Sequence, residues 1–117
     1  MTSLTARMAA LGMNVVLMEV ADGLLFPETA GRVTSPAFRA ATDGVVFAAA
    51  DAMGALAGEA WLRDRGLAPY APAGAMTASP IAAAVAAAHT ATPVLTLDMM
   101  HGGEVLATDL IACRCAA

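Results

Sequence analysis

The sequence predicts an α/β fold, a three-layer, mostly parallel sheet of about three to four strands with flanking helices. Three observations predict it. Short apolar runs, Asn14 to Val20 (NVVLMEV), Val45 to Ala50 (VVFAAA) and Val94 to Leu97, lack polar alternation and read as strands buried on both faces. The stretches between them have helical patterns and are long enough for crossover connections, as parallel neighbours require. Capping residues, Gly and Pro stand at the boundaries. No internal repeat or linker interrupts the chain, so residues 1–117 are expected to form one domain, with 98–117 as a variable tail.

The elements follow in order. Thr2 or Ser3 can cap a first helix to about Leu11, and Gly12 can stop it. The run 14–20 is the first strand. A loop around Asp22-Gly23 leads to Pro27, which suits the first turn of a short helix with Glu28 beside it. Thr34-Ser35-Pro36 opens another helix. Asp43-Gly44 turns into the second strand. Asp51 ends that strand and can cap a helix from Ala52 to about Arg65. There Met53, Leu56, Ala57, Ala60 and Trp61 recur at helical spacing as an apolar face, with Glu59, Arg63 and Asp64 mostly off it. Gly66 is the stop. Leu67 to Ala73 holds two prolines and is at best an edge or irregular strand. Ser79 caps a helix from Pro80 to about Ala88. Thr92-Pro93 opens the last strand, and a His101-Gly102-Gly103 loop precedes one final helix.

Composition narrows the function. At 117 residues the chain holds one ordinary domain, and 59% hydrophobic residues with a mean hydropathy of +0.68 exclude a disordered one. Yet 31 residues are Ala and only 4% are aromatic, so the core is expected to be built from small side chains, with the eight Met as gap-fillers. There is no Lys; the six basic residues are Arg7, Arg32, Arg39, Arg63, Arg65 and Arg114. Chemistry that needs a P-loop lysine, a Schiff base or a lysine base is therefore excluded within this chain. A net charge of −4 and a pI of about 4.8 leave no basic patch for nucleic acid. Cys113 and Cys115 are too few for a structural zinc site and read as free thiols on a tail in a reducing cytoplasm. No signal-peptide pattern is visible, which agrees with that compartment. Gly66 to Leu97 carries no charge, but Pro69, Pro72, Pro80 and Pro93 interrupt it, and a membrane span needs ~20 apolar residues. No membrane partner is expected.

Three constellations can carry chemistry. Glu19 and Asp22, with Gly23, stand at the carboxyl end of the first predicted strand, where ligands of open α/β sheets bind. Two carboxylates there can hold a hydrated magnesium ion; alternatively Glu19 caps a neighbouring helix and Asp22 makes an Asx turn. Asp51 at the end of the second strand can face the same crevice or act only as an N-cap. Gly74 to Pro80 is rich in small residues and leads into a helix N-terminus, either an approach for a polar ligand or a plain turn. His89 at a helix end and His101 in its loop lack a nucleophile at recognisable spacing.

The segment Val15-Val16-Leu17-Met18-Glu19-Val20-Ala21-Asp22-Gly23-Leu24-Leu25-Phe26-Pro27-Glu28-Thr29 resembles the P-loop NTPases of the dethiobiotin-synthetase type (SIMIBI class), in which a buried strand ends in a Glu beside magnesium and phosphates. The block from Asp43 through Gly54-Ala55-Leu56 to Trp61-Leu62-Arg63-Asp64-Arg65-Gly66-Leu67 is similar to that family's next strand, turn and helix. The resemblance covers roughly residues 13 to 97 and implies a partial Rossmann-like, P-loop-like unit. It implies nucleotide-contacting positions at Glu19, Asp22, Gly23 and Asp51, with magnesium at Glu19 and Asp22. The departures are the missing Gly-rich loop with its Lys, Asp22 where a small residue is usual, and Ala73 to Ser79 where an Asn after a strand often contacts the base. The chain thus resembles only a C-terminal half, so magnesium and ATP are expected only in a full-length context. Phosphoryl transfer depends on the phosphate cradle, so no independent catalysis is expected.

Two functions of different class follow. The first is a partial, nucleotide-associated P-loop-like domain of unassigned substrate, partnered by a missing N-terminal half. The second is a non-catalytic structural or oligomerising domain that self-associates through an exposed strand edge. A third, acid/base chemistry by Glu19, Asp22 and Asp51 without nucleotide, has only the carboxylates behind it.

Overall fold

The computed structural model describes residues 2–13 and 15–102. The chain divides into two compact units, Met1–Ala41 and Thr42–Ala117.

The first unit is helical. Helix α1 (Thr2–Ala10) ends in a Schellman motif, with Met13 N–H donating to Met8 O and Gly12 N–H to Ala9 O. Helix α2 (Pro27–Val33) starts on its proline, as expected. Helix α3 (Pro36–Ala40) is capped by Ser35, whose hydroxyl accepts Phe38 N–H. The first predicted strand is corrected: residues 15–20 form neither strand nor helix, and Asn14 lies outside the described residues. Val15, Val16, Leu17 and Met18 are exposed, with Leu17 at 89%. The physical reason is the absence of a sheet. An apolar run becomes a buried strand only where another strand pairs with it, and the described residues of this unit contain none.

The second unit is a βαβ unit with further helices. Strand β1 (Val45–Ala48) leads through helix α4 (Ala52–Asp64) to β2 (Pro69–Ala73), which pairs with β1 in parallel. A 3-10 turn (Ala75–Ala78), α5 (Pro80–His89) and α6 (Leu97–Gly102) follow. The protein is thus mixed α/β, and its described residues form a two-stranded parallel sheet. The prolines of β2 fit because their missing donors fall harmlessly. Pro69 opens the strand, and Pro72 directs its carbonyl away from β1, toward Leu95 N–H. Register slips by one residue between Val45 and Val46.

The last predicted strand is also corrected. Of residues 94–97, Leu95 alone makes a sheet-like bond, 2.9 Å to Pro72 O, before Thr96 accepts Met99 N–H and the chain turns into α6. His101 and Gly102 are helical rather than looped. Gly103, Cys113, Arg114 and Cys115 lie outside the described residues.

Burial in β1 alternates, with Phe47 buried and Val46 and Ala48 exposed, so the strand is covered on one face and not on two. The covering element is α4. Its inward stripe is Ala55, Glu59 and Leu62, which corrects the predicted face: Met53 is 73% exposed, and Leu56, Ala57 and Ala60 are also outside. Gly58 sets this rotation. A Cβ there would lie 2.5 Å from Phe47 Cε2, so only glycine lets the helix rest on the ring. Gly58→Ala is expected to lower stability by about 1–2 kcal/mol, because overpacking outweighs the gain in helix propensity. Urea unfolding of the variant checks this; an unchanged or raised midpoint would contradict it. The helix ends at Gly66 as expected, in a second Schellman motif: Leu67 N–H donates to Leu62 O and Gly66 N–H to Arg63 O, and Leu62 and Leu67 are both buried. The core itself is small-residue packing. One cluster joins Ala49, Ala55, Met76 and Ala86, and another joins Ala71, Ala73 and Leu95. Met76 fills the core as expected, whereas Met13, Met18, Met53 and Met99 are exposed.

Candidate functional site

The carboxyl edge of the parallel pair is where ligands of open α/β sheets bind. Both strands end there and both following helices begin there. Asp51 caps α4, its Oδ1 accepting Gly54 N–H at 2.7 Å. Ser79 caps α5 by accepting Ala82 N–H. Between them, Gly74 adopts φ 99°, ψ −159°. That conformation lets the chain wrap the end of β1: Ala49 N–H donates to Ala73 O at 2.8 Å, and Met76 N–H returns to Ala49 O at 3.2 Å. The Thr77 hydroxyl closes the turn on Gly74 O at 2.8 Å. Asp51 therefore does the capping work that was one of its two sequence-derived roles, and Gly74 to Pro80 is a tight turn into a capped helix.

In the first unit, Glu19 lines a cleft of about 300 Å³ with Met18, Val20, Arg32, Ser35 and Phe38. Asp22 is exposed and adopts φ 69°, a left-handed conformation that a short polar side chain tolerates. Gly23 O then accepts Phe26 N–H, and the buried Thr29 donates its hydroxyl to Ala21 O. Asp22 and Gly23 thus shape the turn into α2. As a magnesium site this pair is poor. It offers two carboxylates, Arg32 brings positive charge into Glu19's cleft, and no group of three or more His, Cys, Asp or Glu side chains gathers among the described residues. A hydrated magnesium ion held by two carboxylates needs substrate phosphates to complete its shell. Glu19 also no longer stands at a strand end, which removes the polarity argument for placing it beside Asp51.

The residue that the sequence placed on the surface and the structure places in the core is Glu59. It is 4% exposed and clamps two segments. Arg63 Nη2 donates to Oε1 at 2.7 Å, and Ala91 N–H, beyond the end of α5, donates to Oε2 at 2.9 Å. Burial alone pushes its carboxyl up. The Arg63 hydrogen bond, the Ala91 N–H and the Arg63 charge pull harder the other way, and hold it below the usual glutamate range. The Thr92 hydroxyl adds a weak pull. It is buried with no partner in good hydrogen-bond geometry. The sequence signal for this clamp was Glu59-x-x-x-Arg63, an i,i+4 pair one position from Gly58.

His89 is exposed in the last turn of α5, and His101 is exposed in the last turn of α6. Among the described residues, no helix is long and apolar enough to cross a membrane. No family model, curated protein or solved structure matches the chain.

Proposed function

We propose that this chain is a non-catalytic α/β association module whose open parallel sheet is completed by another polypeptide. One observation carries this: β1 is bonded to β2 on one edge, and among the described residues no strand pairs with its other edge and Val46 and Ala48 are exposed. Val45 N–H reaches Ala68 O and Ala49 N–H reaches Ala73 O, so by alternation Val46 and Ala48 turn their backbone groups to the unpaired edge. Val46 is 44% exposed on the same stretch. Unpaired backbone and apolar surface in one place form a template for a further strand. The three-layer sheet of about three to four strands then belongs to the completed assembly. Hydrogen exchange read together with light scattering tests this. The Val46 and Ala48 amides should exchange fast in any monomeric fraction and slowly once the chain is associated. A monomer that already protects them would overturn the proposal.

The nucleotide-associated, P-loop-like alternative is favoured by one arrangement, the two capped helix N-termini at the carboxyl edge. It too places nucleotide and magnesium in the assembly, because this chain brings no lysine and no phosphate loop. Calorimetry of the isolated chain with ATP and magnesium should give no saturable heat in the micromolar range. Saturable binding lost in Glu19→Gln or Asp51→Asn would move the balance to that alternative.

A further inference from the structure

We infer that the strand completing β1 is the segment at residues 15–20 of a second copy of this chain. This rests on the association module proposed above and names its partner. Both halves of the pairing are present in one sequence. The segment VVLMEV is β-prone and apolar, is in neither helix nor strand, and exposes four consecutive large side chains. These leave on the order of 400 Å² of apolar surface, within the range where patches on a monomer serve binding. The acceptor, β1, is four residues long and has one edge that no strand pairs among the described residues.

The chemistry of the two segments matches. In an extended strand Val16, Met18 and Val20 share one face, while Val15, Leu17 and Glu19 share the other. Glu19 must stay in water, so its face belongs on the bare side with Val46 and Ala48. Val16, Met18 and Val20 then extend the Phe47 face. Neither segment is guarded in the usual way. Residues 45–50 contain no charge and no proline, 15–20 contain Glu19 alone, and the chain has no lysine to blunt an edge. The net charge of −4 opposes self-association only weakly, since just one of those charges lies in the paired segments. Reciprocal exchange buries two such pairings across a twofold axis. The total is on the order of 1,200 Å², the low end of specific interfaces.

The test is sedimentation of the full chain and of Leu17→Lys and Val46→Lys. Both positions are exposed, so circular dichroism should be unchanged. A concentration-dependent dimer that either charge weakens by about tenfold or more is the expected result. In a background of Cys113→Ser and Cys115→Ser, a Leu17→Cys chain mixed with a Val46→Cys chain should yield a disulfide-linked heterodimer. A dimer indifferent to both lysines and without the cross-link overturns this inference. So does a chain that stays monomeric with freely exchanging Val46 and Ala48 amides, and there the association module survives with a different partner. A monomer with protected amides defeats the association module itself.

Discussion

Gly74→Ala is expected to cost about 3 kcal/mol or more and to shift the urea midpoint of the second unit strongly downward. The backbone at φ 99°, ψ −159° is a region that only glycine occupies freely. A Cβ there would sit 3.0 Å from both Ala49 N and Ala49 O, and 3.1 Å from Ala48 Cβ. Two of these neighbours are backbone atoms, which cannot swing aside as the end of a side chain can. Relief would require breaking Ala49 N–H to Ala73 O or Met76 N–H to Ala49 O, the bonds that fasten the 3-10 turn to the sheet. Met76 would be pulled from its cluster with Ala49, Ala55 and Ala86. Chemical denaturation followed by tryptophan fluorescence, with Trp61 as reporter, measures the loss; a change under 1 kcal/mol would show that the turn is not needed.

Glu59→Ala is expected to cost about 2–3 kcal/mol, and Glu59→Gln about 1. Alanine removes the acceptor for Ala91 N–H and leaves a void beside Thr92. Glutamine keeps an oxygen for Ala91 N–H, but its NH2 then faces the Arg63 donor, so the Arg63 hydrogen bond goes with the charge. The Arg63 share is small because half of that side chain is in water. The pH dependence separates these contributions. The folded carboxyl titrates below its ordinary value of about 4.5, so folding favours the ionised form. Its contribution is complete above that ordinary value and is lost as the pH falls through the lower folded value. Stability of the parent chain should therefore drop on acidification in that window, and Glu59→Gln should flatten the drop. Arg63→Ala should move the Glu59 titration upward, since burial then acts with less opposition. Carbon-13 NMR of the carboxyl reads this directly.

Much of the local structure was legible without coordinates. Ser35, Asp51 and Ser79 cap the helices they precede, Gly12 and Gly66 end theirs, and prolines open α2, α3 and α5. These signals are carried by a few adjacent residues, so the chain around them decides little. The face of α4 was not legible. With Ala at 52, 55, 57 and 60, apolar residues nearly encircle the helix, and periodicity offered a second stripe. Phe47, eleven residues away in sequence, chose between them by resting on Gly58.

The sequence by itself determined the caps, the stops, the absence of lysine and the mixed α/β character. Only the tertiary structure decided which apolar runs became strands. Residues 45–48, 15–20 and 94–97 look alike as runs, yet one is in the sheet, one lies exposed and one makes a single bond to it. The proline-bearing 69–73, the least strand-like of all, became the partner of β1. A strand exists through its neighbour's hydrogen bonds. A residue's own side chain reports how well it would be buried, and not whether a partner edge is there to receive it.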